Sequence, residues 1–421
     1  MNRFGVIVDG YSTGAGLVEK FLEKEIRCIH VQSQQIIPKF YAHTYSPELY
    51  CDHYIFSGNL KPLINTLQHY NVEFVIAGAE SGIELADSLC EALNLPGNGT
   101  ELSAARRNKY LMWEQVKSKN VQVIPSMLAE TLEIAIDWVI EQNTWPLIVK
   151  PLNSAGGEGV RVCNAVLEIK TAFLNIMNTR INTLGFENKG VILQHYIGGE
   201  EYVVNTVSFK GKHKFCELWN YSRYKRSEGR NIYDTAKLIN FDPAMHEEVV
   251  NYAFKVIHAL GIQYGPMHVE IIKNENGCYL IEVGARLMGA NLPFSLLATC
   301  VSTPQWIHTI AAYAEPKEFI RKLDQPYKIL HPLVAVFMIS NQTGKISSID
   351  HIEKIHSLSS FYAMKLAIKE REILRKTIDY QTSPGMIYLS HDDPDVIKND
   401  IEIIRQLEKN MFIFDEKTII A

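Results

Sequence analysis

The sequence predicts a multi-lobed protein of mixed α/β and α+β class, and three observations support this prediction. The chain has 421 residues, of which 47% are hydrophobic, and a chain of this length is expected to form about two to four domains or subdomains. Apolar runs alternate with helical patterns through residues 1–100, which is typical of a parallel sheet. Later apolar runs are separated mainly by turns, which favours antiparallel strands.

The first hundred residues contain two successive βαβ patterns. Strands are predicted at residues 4–8, 28–31 and 74–78, and helices at 17–25, 61–70 and 82–93. The glycines at positions 10, 14 and 16 do not fit the dinucleotide fingerprint GxGxxG. We therefore expect a small parallel α/β domain without a bound NAD.

The rest of the chain is predicted to form three further regions. Helices are expected at residues 104–119, 132–142, 168–178 and 245–260, strands at 121–125, 190–196 and 201–210, and a hairpin at 266–285. The polar, basic and aromatic segment 221–232 suits either a mobile lid over an anionic ligand or an ordinary solvated loop. Strands at 334–339, 346–349 and 385–390 and a helix at 396–407 predict a β-rich carboxy-terminal subdomain. The predicted domains are residues 1–100, 101–192, 193–330 and 331–421.

Charge and cysteine content exclude several classes of protein. A formal net charge of −5 without blocks of like charge argues against a general nucleic-acid binder. The amino-terminal apolar run is too short for a signal peptide and no long apolar stretch follows, so a cytoplasmic protein without membrane contact is expected. The 7 cysteines include no CxxC pair, which predicts reduced core residues and neither disulfides nor a zinc site.

The segment PLIVKPLNSAGGEGVRV, residues 146–162, is the first with a chemical signal. Lys150 closes an apolar strand just before a loop that contains Ser154, Gly156 and Gly157. Glycines let backbone N–H groups approach an anion, and the lysine supplies a positive charge. The lysine precedes the glycines, so the segment is no P-loop. The loop alone predicts a nucleotide phosphate site or a glycine-rich hairpin tip.

The hairpin PMHVEIIKNENGCYLIEVGAR carries the second signal. If residues 275–277 form a three-residue loop, Asn274 faces Cys278 and Glu270 lies directly opposite Glu282. Two facing carboxylates suit Mg²⁺ that is shared with nucleotide phosphates, whereas a solvated outer face is the alternative. The two-residue period places on one face His268, Glu270, Glu282, Gly284 and Arg286, and in the core Val269, Ile271, Ile281 and Val283.

Four ordered segments together resemble the ATP-grasp superfamily, and within it the carboxylate-amine ligases that join amino acids, such as bacterial L-amino-acid ligases. They are RRNKYLMWEQVKSKNV, PLIVKPLNSAGGEGV, VILQHYIGGEEYVV, and HVEI with LIEVGARLMGAN. The resemblance covers essentially the whole chain. It implies an ATP-grasp architecture with an N-terminal α/β domain, a two-lobed core and a β-rich C-terminal subdomain.

The resemblance also implies how ATP is bound. Lys109 and Lys150 would contact its phosphates beside the loop of Ser154, Gly156 and Gly157. The hinge that binds adenine would be Gln194, His195, Tyr196 and Ile197, although the family more often has Glu at the first position. Glu201 would bond the ribose, with Glu200 as the alternative register.

The metal and substrate residues follow from the same resemblance. Glu270 and Glu282 would hold Mg²⁺, with Mn²⁺ as the alternative, and Arg286 and Lys150 would be catalytic. The family pattern ExNxR appears here as Glu-Val-Gly-Ala-Arg, so the asparagine is absent. The predicted substrate residues are Glu80, His268, Arg286, Met288 and Gly289. Glu80 is a candidate partner for an ammonium group or a helix N-terminal acid, and Met288 could also belong to the core.

The activity implied by the resemblance is ATP-dependent amide formation. A substrate carboxylate attacks the γ-phosphate of ATP to give an acyl phosphate and ADP, and an amine then displaces phosphate. The expected partners are small-molecule amino acids, carboxylates and amines, and a homodimer is left open. The competing functions are a biotin-carboxylase-like or other biosynthetic ATP-grasp ligase, and an ATP-binding sensor without catalysis.

Overall fold

The computed structural model of the protein describes residues 3–226 and 229–415. Its first region consists of β1 (Arg3–Val8), α1 (Leu17–Leu22), β2 (Ile26–Gln32), α2 (Lys39–Ala42), β3 (Asp52–Ile55), α3 (Leu60–Leu67), β4 (Val72–Ala77) and α4 (Ile83–Ala92). The strands form a parallel sheet in the order β3-β2-β1-β4, which confirms the predicted α/β domain type. The carboxyl ends of β1 and β4 carry Asp9 and Glu80 to one edge of this sheet.

The second region consists of α5 (Lys109–Ser118), β5 (Ser126–Ala129), α6 (Leu132–Gln142), β6 (Leu147–Pro151), β7 (Arg161–Cys163), α7 (Val166–Asn178) and β8 (Val191–His195). Its strands pair antiparallel in the order β5-β8-β6-β7. The strand predicted at 121–125 is wrong, because the strand starts after Pro125, which cannot donate to a ladder. The helix predicted at 104–119 is split, since the Asn108 side chain accepts from the N–H groups of Tyr110 and Leu111 and caps a new helix.

The third region consists of β9 (Glu200–Phe209), β10 (Lys212–Arg226), β11 (Arg230–Ile239), α8 (Pro243–Ala259), β12 (Gly265–Asn274), β13 (Gly277–Gly284), α9 (Phe294–Cys300), α10 (Gln305–Ala314) and α11 (Pro316–Arg321). The interpretation of 221–232 as a loop is wrong, because its described residues form the paired ends of β10 and β11. Residues 227 and 228 lie outside the described residues. Gly229 O accepts from Val162 N at 2.8 Å, so this hairpin reaches β7.

The β12-β13 hairpin pairs Glu270 with Glu282 as predicted, but its turn and its register differ from the prediction. Its turn has two residues, Glu275 and Asn276, so that Lys273 and not Asn274 faces Cys278. A bulge after Glu270 shifts the register by one residue and places Glu270 opposite Glu282. Ile281 is the extra residue and is only half-buried, so its predicted core position is wrong.

The last region consists of β14 (Val334–Phe337), β15 (Gly344–Ile349), α12 (Ile352–His356), β16 (Phe361–Leu366), β17 (Ile373–Leu374), β18 (Gly385–Leu389), α13 (Pro394–Leu407) and β19 (Phe412–Phe414). Three of these strands extend the preceding sheet to the order β13-β12-β9-β10-β11-β14-β18-β16, and the others form the sheet β17-β15-β19. The boundary predicted at 330/331 therefore crosses one continuous sheet, and that at 192/193 crosses β8. The domain limits stay predictions.

Within the described ranges, no helix has both the length and the apolar character needed to cross a membrane. All 7 cysteines are free. The largest buried cluster packs α8 against the long sheet, and its members include Trp219, Val256 and Val269. This cluster fixes the sheet that carries the polar faces of β9, β10, β12 and β13.

Candidate active site

The site is a cleft between the edge of the N-terminal sheet, the glycine-rich loop and the polar face of the long sheet. Residues from all three parts line it, including Glu80, Gly156, His268, Glu282 and Arg286. The two-residue period of the strands turns these polar side chains toward the cleft while their neighbours pack in the core. The structure thus brings together side chains that are far apart in the sequence.

Glu282 pairs with Lys109 at the centre of this cleft. Lys109 Nζ lies 2.7 Å from Glu282 Oε2 and donates to Ser154 O at 2.6 Å. Burial acts to raise the pKa of Glu282, but the positive charges of Lys109, Lys150 and Arg286 outweigh it and lower the pKa to about 2. Glu282 is therefore ionised throughout the neutral range.

Lys150 lies behind this pair and is buried. Its Nζ donates to Gln194 Oε1 at 3.0 Å, and the Gln194 Nε2 donates to Ser126 Oγ at 2.7 Å. Burial lowers the pKa of Lys150 to about 8, and the nearby charge of Lys109 contributes to the same shift. Within the described chain Lys150 has no carboxylate within ion-pair distance, so an anionic ligand would stabilise its ammonium form.

The glycine-rich loop has the backbone geometry that its composition predicts. Gly156 and Gly157 have φ values of 67° and 80°, in the left-handed region that favours glycine. A Cβ built at Gly157 would have no heavy atom within 4 Å, so this residue borders open space. The backbone N–H groups of both glycines donate to no residue in the described ranges, whereas the buried Ser154 Oγ donates to Glu158 O at 3.3 Å. The loop therefore offers backbone donors to an anion.

Glu201 and Glu270 are connected by an arginine that sequence reasoning missed. Arg223 Nε donates to Glu201 Oε2 at 2.8 Å, and its Nη2 lies 3.9 Å from Glu270 Oε2. His268 Nε2 lies 3.1 Å from Glu270 Oε1. Burial raises the pKa of Glu201, while the charge of Arg223 opposes this rise. Residues 221–226 show no two-residue alternation of apolar and polar side chains, so the sequence had no local signal for Arg223.

Glu80 lies between two arginines and joins the N-terminal domain to the hairpin. Its Oε1 accepts from Arg107 Nη1 at 2.9 Å, and Arg286 Nε lies 2.9 Å from its Oε2. A Cβ at Gly284 would lie 2.8 Å from Arg286 Cζ and 3.0 Å from Glu80 Oε2. Glycine at the position of the family's asparagine thus leaves room for this ion pair. Arg107 and this use of Gly284 were not predicted from the sequence.

The other predicted residues lie around the cleft or away from it. Gly289 lines the cleft, and its carbonyl accepts from Thr13 Oγ1 at 3.0 Å. Met288 is packed in the core cluster, with Asn205 Nδ2 3.3 Å from its sulfur. Three of the predicted hinge residues, His195, Tyr196 and Ile197, do not line the cleft. His195 Nε2 lies 3.1 Å from Gln142 Oε1. Tyr196 and Ile197 line a separate surface depression together with the exposed Glu200.

The donor set of the hairpin fits a divalent cation that takes part of its coordination from a ligand. Glu270 and Glu282 face each other on paired strands and offer carboxylate oxygens. No group of three or more His, Cys, Asp or Glu side chains with metal-binding geometry occurs in residues 3–226 and 229–415. Mg²⁺ commonly uses one or two carboxylates together with water and phosphate oxygens. These residues therefore fit Mg²⁺ better than a metal held by protein alone.

Comparison with known proteins agrees with this geometry. The ATP-grasp domain family matches residues 143–293, which include the glycine-rich loop and the hairpin. Dapdiamide A synthase from Enterobacter agglomerans is 32% identical over 411 residues, which are 97% of this chain and 96% of that protein. The chain belongs to the ATP-grasp carboxylate-amine ligases. The ligase therefore uses ATP and acts on small-molecule substrates, as the resemblance implied.

Solved structures show the same fold over the whole length. An L-amino acid ligase from Bacillus licheniformis superposes on the ligase with a TM-score of 0.75 at 15% identity, covering 99% of each chain. A carboxyaminoimidazole ribonucleotide synthase from Aspergillus clavatus, complexed with ATP, superposes with a TM-score of 0.70 at 16% identity, covering 97% of this chain and 99% of that one. The predicted ATP-grasp architecture is confirmed.

Proposed function

We propose that the ligase joins the carboxylate of one amino acid to the amine of a second through an acyl phosphate, with release of ADP and phosphate. The observation that supports this most is the convergence of Lys109, Lys150, Glu282 and Arg286 in one cleft. Cations and a facing carboxylate pair are the groups that phosphoryl transfer requires, because its catalysis is mostly positioning and charge stabilisation. Dapdiamide A synthase and the L-amino acid ligase, to which the chain is similar, support an amide-forming reaction.

The ATP phosphates lie between the glycine-rich loop and the two lysines in this proposal. Gly156 and Gly157 present N–H groups that bond no described residue, and Ser154 stabilises the loop through its bond to the Glu158 carbonyl. Lys150 becomes fully protonated when phosphate replaces the amide as its main partner. The lysines then stabilise the negative charge that develops on the transferred phosphoryl group.

We assign the remaining nucleotide contacts to the hinge and to Glu201. The backbone of His195, Tyr196 and Ile197 is proposed to bond the adenine edge. Gln194 is proposed to act indirectly, because both ends of its amide already bond Lys150 and Ser126. Glu201 is proposed to accept from the ribose hydroxyls in competition with Arg223. Its neighbour Glu200 points to Tyr202 Oη and is exposed.

Glu270 and Glu282 are proposed to hold Mg²⁺, or Mn²⁺ in its place. Such an ion, when bound, neutralises phosphate charge and orients the triphosphate. Lys109 would leave Glu282 for the phosphates as the carboxylate takes part in coordination. His268 holds Glu270 in place through its contact of 3.1 Å.

Arg286 is proposed to stabilise the acyl phosphate and then the tetrahedral centre formed by the attacking amine. Burial acts to lower the pKa of Arg286, but the charges of Glu80, Glu282 and Glu270 together with Tyr41 outweigh it and raise the pKa, so Arg286 keeps its proton throughout catalysis. Glu80, His268 and Gly289 are proposed to border the substrate amino acid, and Met288 to support them from the core. The proposal also requires that the cleft exclude water from the acyl phosphate.

A substrate screen tests this function. The protein with MgATP is incubated with amino acids singly and in pairs, and ADP, phosphate and product mass are measured. Amide product with ADP and phosphate in equal amounts is expected for at least one pair. Turnover that requires bicarbonate and does not depend on amino acids, or ATP binding without turnover on any pair, would reject the proposed function.

We further propose a cytoplasmic location, supported by the free cysteines, and a homodimer that sedimentation would reveal.

A further inference from the structure

One wall of the cleft is built almost entirely from aromatic rings. Phe40 and Tyr41 come from the N-terminal domain, Tyr233 from β11, Phe337 from β14, and Tyr380 from the segment before β18. Phe40 packs against Tyr41 and Tyr380 with ring centroids 5.0 and 5.9 Å apart. Phe337 packs against Tyr233 and Tyr380 at 5.1 and 6.0 Å. These five rings form one continuous surface, here called the aromatic pocket.

The hydroxyl groups of this pocket are free although the rings are packed. Tyr41 is only 4% exposed, and its hydroxyl bonds no residue in the described part of the chain. The hydroxyls of Tyr233 and Tyr380 likewise lack a partner among the described residues. The oxygen atoms of these hydroxyls are not among the described side-chain atoms that are buried without a partner, so they are accessible from the cavity, and a ligand or water placed there can bond them.

The charged residues that share this cavity are already paired. Glu80 contacts Arg107 and Arg286, Glu270 contacts His268, and Glu282 contacts Lys109. A basic or acidic ligand side chain placed against the rings would therefore lose its hydration without gaining an ion-pair partner, which is costly. An uncharged apolar or aromatic side chain would gain dispersion and ring contacts instead.

The aromatic pocket and the proposed reaction centre belong to one cavity. Arg286 and Glu282 line the same space as Tyr41 and Tyr380. We propose that the aromatic pocket binds the side chain of one substrate amino acid and selects uncharged apolar or aromatic side chains. This rests on the proposed function, since it needs an amino acid whose reacting group lies at Arg286.

The position of Tyr380 links this pocket to the nucleotide loop. Tyr380 N donates to Gly156 O at 2.9 Å, and the adjacent Gln381 Nε2 donates to Ala155 O at 2.9 Å. A Cβ at Gly156 would lie 2.9 Å from Tyr380 Cβ, so the loop and the ring are in close contact. A ligand side chain that packs on Tyr380 therefore contacts a residue that is itself in contact with the loop proposed to hold phosphate.

The first test compares amino acids of similar size and different charge. ADP formation is measured with MgATP, a saturating small partner amino acid, and each of leucine, methionine, phenylalanine, lysine and glutamate. We expect kcat/KM to be at least about tenfold higher for the three uncharged side chains, the size of effect that pocket complementarity gives. Turnover that is equal or higher with lysine or glutamate overturns the pocket assignment but leaves the ligase function intact. No ADP with any pair overturns the ligase function itself.

The second test changes the shape of the pocket. Phe337→Leu replaces a ring with a smaller side chain and so enlarges the pocket. The larger pocket should favour the larger substrate, so the ratio of kcat/KM for phenylalanine to that for valine should rise about tenfold. The matched control is Phe319→Leu, because Phe319 is also buried but packs in a separate cluster. Both variants should lower the melting temperature, and only the first should change the substrate ratio. A ratio that is unchanged in Phe337→Leu, or changed equally in both variants, contradicts the proposal.

A second pocket variant keeps this test decisive if Phe337→Leu does not fold. Phe40 is only half-buried and lies on the opposite domain, so Phe40→Leu should fold normally. We expect the ratio of kcat/KM for phenylalanine to that for valine to rise here too, by about threefold to tenfold. An unchanged ratio in a folded Phe40→Leu protein overturns the proposal.

Discussion

The two walls of the cleft differ in how they are built. The charged wall consists of Lys109, Lys150, Glu270 and Glu282, whose side chains pair within the cleft or bond the adjacent hinge strand. The aromatic wall consists of the pocket rings, which pack through their faces and edges while the tyrosine hydroxyls bond none of the described residues. This difference supports the proposals that the charged wall binds the nucleotide through its negative charge and that the aromatic wall selects an amino acid side chain by its shape.

The largest expected effect lies on the charged wall. Glu282→Gln removes the partner of Lys109 and one proposed metal ligand, so phosphate release should fall by about 10²–10³-fold. The protein should stay folded, with a melting temperature within about 5 °C of the wild type. Glu248→Gln is the control, because Glu248 is exposed and its one ion pair within the described residues is with the partly exposed Lys273. Near-normal turnover in Glu282→Gln would remove this residue from the site.

A change at the junction of the two walls should have the next largest effect. Gly284→Asn restores the family's asparagine, but its Cβ would lie 2.8 Å from Arg286 Cζ and displace the arginine from Glu80. We expect kcat to fall by about 10- to 100-fold, because positioned charge is lost from the reacting centre. Gly58→Asn, at a glycine outside the cleft lining where an added Cβ would have no heavy atom within 4 Å, should leave kcat unchanged, although the φ of 91° strains an asparagine there and should lower stability. Activity equal to or above wild type in Gly284→Asn would contradict this account.

A smaller effect is expected where the aromatic wall meets the nucleotide loop. Gln381→Ala removes the bond to Ala155 O, so the KM for ATP should rise about fivefold while kcat changes little. Gln342→Ala serves as the comparison, because Gln342 is exposed. If instead kcat fell and the KM for ATP did not change, Gln381 would not act through the loop.

The smallest expected effect is the uptake of a proton by Lys150, on the charged wall, when ATP binds. Since burial lowers the pKa of Lys150 to about 8, this lysine is partly neutral at pH 8.5 before the nucleotide binds. Triphosphate favours the charged form, so ATP binding should take up a fraction of a proton and weaken as pH rises through 8. Calorimetry at pH 8.5 in two buffers of different ionisation enthalpy measures this uptake, and Lys150→Met should abolish it. Proton release, or equal heats in both buffers, would contradict the assignment.

The charged wall was largely predictable, because its motifs are short and local. The pairing of Glu270 with Glu282 was predicted correctly, but with a turn that was one residue too long. The bulge compensated for that error, and such bulges have no clear signature in a single sequence. The loop glycines also have the positive φ values that their spacing indicated.

Other features could not be predicted because distant segments create them. Arg223 was missed because a basic, aromatic stretch was interpreted as a loop, and only pairing with β9 and β11 makes it a strand. The Glu80–Arg286 pair joins two domains that are far apart along the chain, and the sequence gives no signal of that contact. Its only local trace is the glycine at position 284.

The sequence by itself determined the glycine-rich loop and the shared polar face of Glu270 and Glu282, because these depend on residues within one hairpin or one turn of each other. The tertiary structure alone decided the aromatic pocket, whose rings come from three regions of the chain, and the contact of Gln381 with Ala155 across 226 positions. The physical reason is that ring packing and cleft shape depend on how sheets and domains are placed against one another. Local periodicity contains no information about that placement.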